Sequence, residues 1–473
     1  MSEKSISAMM EELSTYIAGA LERPLPEDVV EKAKHHLLDT MAAVVSGSQL
    51  RPGKMAIAYV QRLGGTPVCT VVGAGFLTNP VNAALANGMH AHADETDDSH
   101  FRGRYHPGCG IVPGAFAAAE LMGSSGTDLL RALVLGYDIG TRFNLSMGQS
   151  GAYAGGHSTH TIGTLFGASA AAGALMRHDP RQIRHQLSYS VQQGCGVPYW
   201  ARDEEHIEKA FDFGGLEARN ALAAATMVAE GMTGVDDALS GASNFFTAFS
   251  SSPLPGELTD GLGVRYEIMD ATIKKWCVGS PIQGALDAIT ALMWEHGIGP
   301  ADVEAIASEL PDDRAQVVDN RDMPNISLQH LLAITLFDGG LSFESAHDYG
   351  RMSDPEIRAL RAKIKVVPSA ELSAARPPRQ VILKVTTTDG RQLVHHTKAV
   401  KGTPANPMNS REVAEKATEL MAPILGAQRT RDLVDTLLSA ERIVNVLDLR
   451  PLLQIDAAKP AADQVGSTAG VGP

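Results

Sequence analysis

The chain has 473 residues, 44% hydrophobic and 20% charged, which is ordinary globular usage and excludes disorder over most of the length. Forty Lys and Arg against 54 Asp and Glu give a net charge of −14, with no basic stripe for nucleic acid and no polybasic patch for a membrane. The four cysteines (Cys69, Cys109, Cys195, Cys277) lie far apart without a CxxC pair, which argues against a disulfide scaffold and a thiolate zinc site.

The first residues carry acids and no long apolar core, so no secretory signal is expected. The longest weakly polar run, 162–176, is too short to span a bilayer. A soluble cytoplasmic protein is the expectation. Pro26-Glu27-Asp28 opens a helix, with Val30, Ala33, Leu37, Leu38, Met41 and Val45 at helical spacing and Ser46-Gly47 as its stop. Asn79-Pro80 reads as the start of a second helix running to Asn87-Gly88. Thr127-Asp128 and Asp179-Pro180 open two more. The stretch 163–173 is nearly all Gly, Ala, Ser and Thr, which predicts a buried central helix. It does not match a dinucleotide-binding loop.

After about residue 265 the character changes. A helix over 285–295 precedes a partly alternating strand at 303–310 and another at 363–367. Val381, Leu383 and Val385 alternate with polar residues, and Asp389-Gly390 joins them to 392–397 as a hairpin. Helices resume at Asn409-Ser410. The predicted fold is therefore mainly α with an inserted α+β domain: a helical part over 1–265, an α+β domain over 266–400, a helical return over 401–455 and a flexible tail over 456–473.

The densest chemistry lies between two of these helices. Residues 90–106 hold four His (His90, His92, His100, His106), four acids (Asp94, Glu95, Asp97, Asp98) and two Arg (Arg102, Arg104). A loop hung on rigid supports is where function concentrates. A solvated polar loop is the plainer reading, but such loops rarely hold four imidazoles. His90-Ala-His92 with nearby acids suits a metal hydrolase; against it, 80–89 reads as helix and no eightfold strand–helix alternation follows. Metal-free acid–base work on an anionic substrate is the third reading, with imidazoles moving protons and the arginines fixing carboxylates. Three further segments carry candidates: Gly156-His157-Ser158-Thr159-His160 ahead of the small-residue helix, Lys209 to Gly215, and Lys274-Lys275-Trp276 ahead of a helix near Gly284. Taken singly, each of these His and Lys residues reads more plainly as a helix cap or a surface charge.

Together these segments resemble the MmgE/PrpD family, which includes 2-methylcitrate dehydratase, cis-aconitate decarboxylase and iminodisuccinate epimerase. The resemblance covers about residues 10–455 and rests on five pieces in order. They are His92-Ala-Asp-Glu-Thr-Asp-Asp-Ser-His100 with His106-Pro107-Gly108, then Gly155-Gly-His-Ser-Thr159, Lys209 to Gly214, Lys274-Lys-Trp276, and Asn406-Pro-Met408. It implies a helical domain built from both chain ends, an inserted α+β domain, a homodimer, and a pocket between domains with no metal or organic cofactor. It implies catalytic roles for His106, His157, Lys209, Lys274 and Glu95, a pocket-lining place for Ser99, and a small carboxylic acid as substrate. Asp98, Arg102 and Arg104 are the further candidates for binding that substrate.

Family members act at a carbon next to a carboxylate. The expected activity is that of a dehydratase-like hydro-lyase: His106 or His157 takes the proton, the lysines steady the developing charge, and the other imidazole, or a Glu95 kept protonated by burial, serves the leaving hydroxyl. An epimerase or a decarboxylase would use the same residue types. Glu95 stands where several members have Asp, Asp212 where many have His, and Gln283 where the dehydratase-like branch often has His. Gly279 replaces a His-bearing stretch of the decarboxylase branch, which disfavours decarboxylation of cis-aconitate.

Overall fold

The structure is a computed structural model and describes residues 6–148 and 155–455. The expected tail at 456–473 lies outside the described residues. The helix predicted from Pro26 runs over Glu27–Gly47, with Glu27 and Asp28 against the positive helix end. The one predicted from Asn79 runs over Pro80–Ala91, capped by the Asn79 side chain, and continues past Gly88 into the His-rich segment. Asp179 and Gln182 form a reciprocal cap for Pro180–Gln193.

The small-residue helix spans Thr159–Leu175 and is buried along almost its whole length. It packs against Gly126–Ser146, Gly108–Met122 and Leu216–Ala229. Small residues are required there because backbones nearly touch: a Cβ on Gly167 would lie 2.5 Å from the Gly136 carbonyl oxygen, and one on Gly136 only 3.1 Å from that of Gly167. The same device brings Gly88 against Gly214, where added Cβ atoms would lie 2.2–2.5 Å from the opposing carbonyl oxygens. That contact seats the turn carrying Phe213 on the helix that ends at the His-rich segment.

The buried apolar side chains form a large core, drawn from 10–277 and again from 408–453, and a second core drawn from 278–393. The mainly α fold with a smaller α+β unit is thus present. Ser410–Leu425 lies against Glu27–Gly47, so the chain end returns to the first helices. The second unit holds a four-stranded sheet in the order Ile364–Ser369, Val303–Pro311, Val381–Thr387, Gln392–Thr397. The first pair is parallel, and the others are antiparallel. Gln283–His296 packs on the last two strands. Buried Arg142 fixes the approach to this unit by donating to the carbonyls of Asp260, Gly261 and Arg265. A two-residue ladder, Ser99↔Thr272 and His100↔Ala271, then ties the His-rich segment to the strand leading to Lys274.

Candidate active site

Residues 92–100 are buried although four of them are acids. An isolated carboxylate inside a protein is costly, so each must be paired. Asp94 accepts from the Thr96 backbone and hydroxyl and pairs with His347 of the second unit at 2.7 Å. Asp98 accepts from His36 Nδ1 (2.6 Å), the Tyr137 hydroxyl (2.6 Å) and the Gly108 backbone N–H (2.8 Å). Lys416, from the chain return, donates to the Thr96 carbonyl (3.0 Å) and to Asp39 (2.6 Å).

Alternation along the chain divides the remaining side chains. Asp98 and His100 face the helical body, whereas Asp97 and Ser99 face the other way, toward Lys274 and Arg379. Asp97 accepts from His92 Nδ1 at 2.9 Å and from His106 Nδ1 at 3.2 Å, and the Lys274 ammonium lies 3.6 Å away. Lys274 is fully buried, donates to the Glu95 carbonyl at 2.6 Å and lies 3.6 Å from the Glu95 carboxylate. Lys209 pairs directly with the same carboxylate, its ammonium about 5 Å from the ring centres of Phe213 and Trp200. The His106 ring lies 4.9 Å from His92 and 5.5 Å from His160, and His206 lies 5.1 Å from His92. Phe213 stacks on both His160 (3.8 Å) and His92 (4.5 Å).

The electrostatics follow from burial and these charges. Burial alone would raise the Glu95 carboxyl, but Lys209 and Lys274 overcome it and hold the group well below its usual range. Burial of Asp97 is likewise outweighed, by His92, His106 and Lys274. Burial pulls His106 down to about 4 against the opposing influence of Asp97, and puts His160 and His206 well below the usual value. At neutral pH the site therefore holds two carboxylates, two lysines and neutral imidazoles at His106, His160 and His206. With Asp97 ionised, His106 donates through Nδ1 and keeps Nε2 as a proton acceptor.

Comparison with known proteins gives this cluster a lineage. The MmgE/PrpD N-terminal domain matches residues 11–257 and the MmgE/PrpD C-terminal domain matches 276–439. The chain belongs to the MmgE/PrpD family. Similar proteins include cis-aconitate decarboxylase of Aspergillus terreus, 23% identical over 96% of this chain and 97% of the relative. A cis-aconitate decarboxylase-like protein of Aspergillus oryzae is 25% identical over 93% and 96%, and cis-aconitate decarboxylase of Homo sapiens 23% identical over 95% of each.

Among the candidates taken from the MmgE/PrpD resemblance, Glu95, His106, Lys209 and Lys274 come together. His157 does not join them. Ser158 is the N-cap of the small-residue helix, so His157 lies before it with its ring 4.8 Å from Phe249, and His160 in the first turn is the imidazole that reaches His106. Glu95 is not a protonated acid, because two ammonium groups face it. Asp98 is taken up by His36, Tyr137 and Gly108 and holds the His106-Pro107-Gly108 turn instead of facing a ligand. Arg102 and Arg104 are exposed, and Arg102 lies 3.6–3.7 Å from Glu267 and Asp270. Ser99 is buried and accepts from Arg379 at 3.3 Å.

The sequence reading placed Asp97 and His160 in candidate segments without giving either a role, and it did not single out His206, Phe213 or Arg379. The alternation 95, 97, 99 was a usable signal for Asp97. Phe213 sits in a π-turn at Phe211–Gly215 inside what is otherwise a continuous helix from Ile207 to Ala229, and no sequence pattern marks such a turn.

The donor set was tested against a cation. His92, Asp97 and His106, and also His92, Glu95 and His206, come within metal-binding reach of one another. In both groups the carboxylate already serves an ammonium or two ring N–H donors, which a cation would have to displace. His90, which the alternative metal-hydrolase reading pairs with His92, belongs to no such group among the described residues. A cavity of about 240 Å³ beside Trp276, Phe343, Met408 and Lys416 shares no imidazole with the cluster.

Proposed function

We propose that this protein is a cofactor-independent lyase that removes a proton next to a carboxylate of a small di- or tricarboxylic acid, and that loss of water follows. The observation that carries the reading is Asp97. One buried carboxylate orients His106 through Nδ1 and sits beside the Lys274 ammonium, which places a neutral base and a fixed cation within one contact of each other.

His106 Nε2 accepts the proton from carbon, and the electron pair moves into the adjacent carboxylate. Lys209 and Lys274 steady that charge in a site from which water is largely excluded, where such groups act most strongly. Burial makes protonated His106 a ready acid, so it returns the same proton to the leaving hydroxyl, and water departs as the carbon–carbon double bond forms. One imidazole suffices, and an ionised Glu95 needs no acid role.

A second reading is favoured by the names of the relatives: loss of carbon dioxide would leave a carbanion at the carbon that carried it, and His106, having first taken a proton from water at Nε2, would deliver that proton to it. Proton NMR in deuterium oxide with citrate, 2-methylcitrate and cis-aconitate separates these outcomes, together with trapping of carbon dioxide. Olefin formation is expected from the hydroxy acids. Carbon dioxide release without water loss would reassign the protein as a decarboxylase, and deuterium incorporation without either would make it an epimerase. No exchange, olefin or carbon dioxide with any of the three would overturn the proposal. A homodimer belongs to the same reading, tested by light scattering for twice the 50.0 kDa chain mass.

No helix among the described residues is long and apolar enough to cross a membrane.

A further inference from the structure

Arg379 lies in the second unit, just before Val381–Thr387, yet reaches back to the His-rich segment. Its guanidinium donates to Ser99 Oγ at 3.3 Å and lies 5.5 Å from the centre of the Phe101 ring. It is half-buried, and no carboxylate lies within ion-pair distance of it among the described residues. The nearby acid Asp313 is paired with Arg314 at 3.2 Å. A guanidinium withdrawn from water normally takes an anion as partner.

Its backbone sharpens the point. Arg379 has φ of 67°, the left-handed region that costs a residue bearing a Cβ roughly 1 kcal/mol or more and recurs where a side chain has a task. Gln380 beside it is fixed by bonds to the Pro377 carbonyl and His396, so the conformation is held by its surroundings.

Placement decides what the anion is. Ser99 pairs with Thr272, and Lys274 lies two residues beyond Thr272, on the same side of that ladder. Asp97 and Ser99 share that side as well, since Lys274 meets the one and Arg379 the other. We infer that Arg379 is a specificity-determining residue that receives a second carboxylate of the substrate, with Ser99, while Lys209 and Lys274 serve the carboxylate next to the reacting carbon. This rests on the proposed function and deepens it: the substrate carries at least two carboxylates, and the two structural units each bind one end of it.

The test uses propane-1,2,3-tricarboxylate, which has neither hydroxyl nor double bond and cannot react, against butyrate as a monocarboxylate control. Binding is measured by calorimetry to the full chain, to Arg379→Gln and to Arg379→Lys, with melting curves for all three. Arg379→Gln is expected to weaken the tricarboxylate by about 10- to 100-fold, as loss of a charge-assisted contact does. Arg379→Lys should recover part of the loss, and butyrate should be indifferent to both changes. Equal tricarboxylate binding by the full chain and by folded Arg379→Gln would overturn the inference while leaving the lyase reading intact. No binding by the unaltered chain would overturn both. If Arg379→Gln melts below the working temperature, Arg379→Lys carries the test: tricarboxylate affinity equal to that of the unaltered chain would then overturn the assignment of the second carboxylate to the Arg379 guanidinium.

Discussion

The two halves of the stretch 92–105 read alike as sequence and behave oppositely in the fold. Residues 92–100 carry six ionisable side chains, four acids and two imidazoles, and they are buried; residues 101–105 carry two arginines, both exposed. Charge does not separate them, and the supply of partners does. His36, Tyr137, Lys209, Lys274, His347 and Lys416 converge on the first half from distant parts of the chain. Arg102 keeps 43% of its side chain exposed and lies 3.6–3.7 Å from the buried Glu267 and the exposed Asp270, so it stays at the surface. A cluster of charges becomes a site where the rest of the molecule desolvates and saturates it.

The strongest way to break this contrast is to remove the group at its centre. His106→Ala should lower turnover by about 10²- to 10⁴-fold, the usual contribution of one placed acid or base. His157→Ala should leave turnover near that of the unaltered enzyme, since His157 lies against Phe249. Steady-state kinetics on whichever acid is turned over checks both. A large loss in His157→Ala with little in His106→Ala would reverse the assignment of the base.

The next effect is on stability. Asp98 has its donors supplied by three separate elements, so Asp98→Ala leaves His36, Tyr137 and the Gly108 N–H without their acceptor inside the core. Breaking buried charge-bearing contacts of this kind costs about 3–5 kcal/mol. Urea unfolding is the measurement, and a loss below about 1 kcal/mol would mean that water replaces the carboxylate easily.

A pH series separates the halves further. Burial depresses His36, His90, His100 and His106 to about 4 from an ordinary 6.5. Between those values the unfolded chain binds more protons, so these groups make stability fall as pH drops from 6.5 to 4. Burial raises Asp39 to about 6 and Asp212 to about 7, which acts oppositely: their contribution is lost as pH rises from the ordinary carboxyl value toward 6 or 7. The imidazoles outnumber them, so net acid lability above pH 4 is expected. Asp212→Asn should gain stability relative to the unaltered chain as pH rises from 4 to 7. Urea midpoints at several pH values test both; a flat profile would show that these imidazoles are solvated.

Much of the architecture was legible because it is local. The capped helix starts at Asn79, Asp179 and Asn409, the small-residue helix and the Asp389-Gly390 hairpin all depend on residues a few positions apart. The His-rich loop was legible as a candidate site for the same reason. What could not be read was which members face each other. Lys416 meets Thr96 across 320 positions and Arg379 meets Ser99 across 280, and neither carries a local mark of that contact. Nor could the exposure of Arg102 and Arg104 be read, because type and spacing look the same on a surface turn as in a pocket.

The smallest expected effect concerns these two arginines. Arg102 keeps 43% of its side chain exposed; of its acids at 3.6–3.7 Å, Asp270 is exposed and the buried Glu267 keeps Arg265 at 2.8 Å as a nearer partner, so losing Arg102 strands no charge and its pairs contribute about 0–1 kcal/mol. Arg104 is exposed too, although its backbone, at φ of 52°, forms the turn that returns the chain to Tyr105 and His106. Removing the side chain beyond Cβ should therefore spare the turn. Arg102→Ala and Arg104→Ala are each expected to shift stability by less than about 1 kcal/mol and KM by less than about twofold. A tenfold rise in KM in either variant would place a guanidinium of this hairpin on the substrate, and the boundary between the buried site and its exposed flank would have to move outward past residue 101.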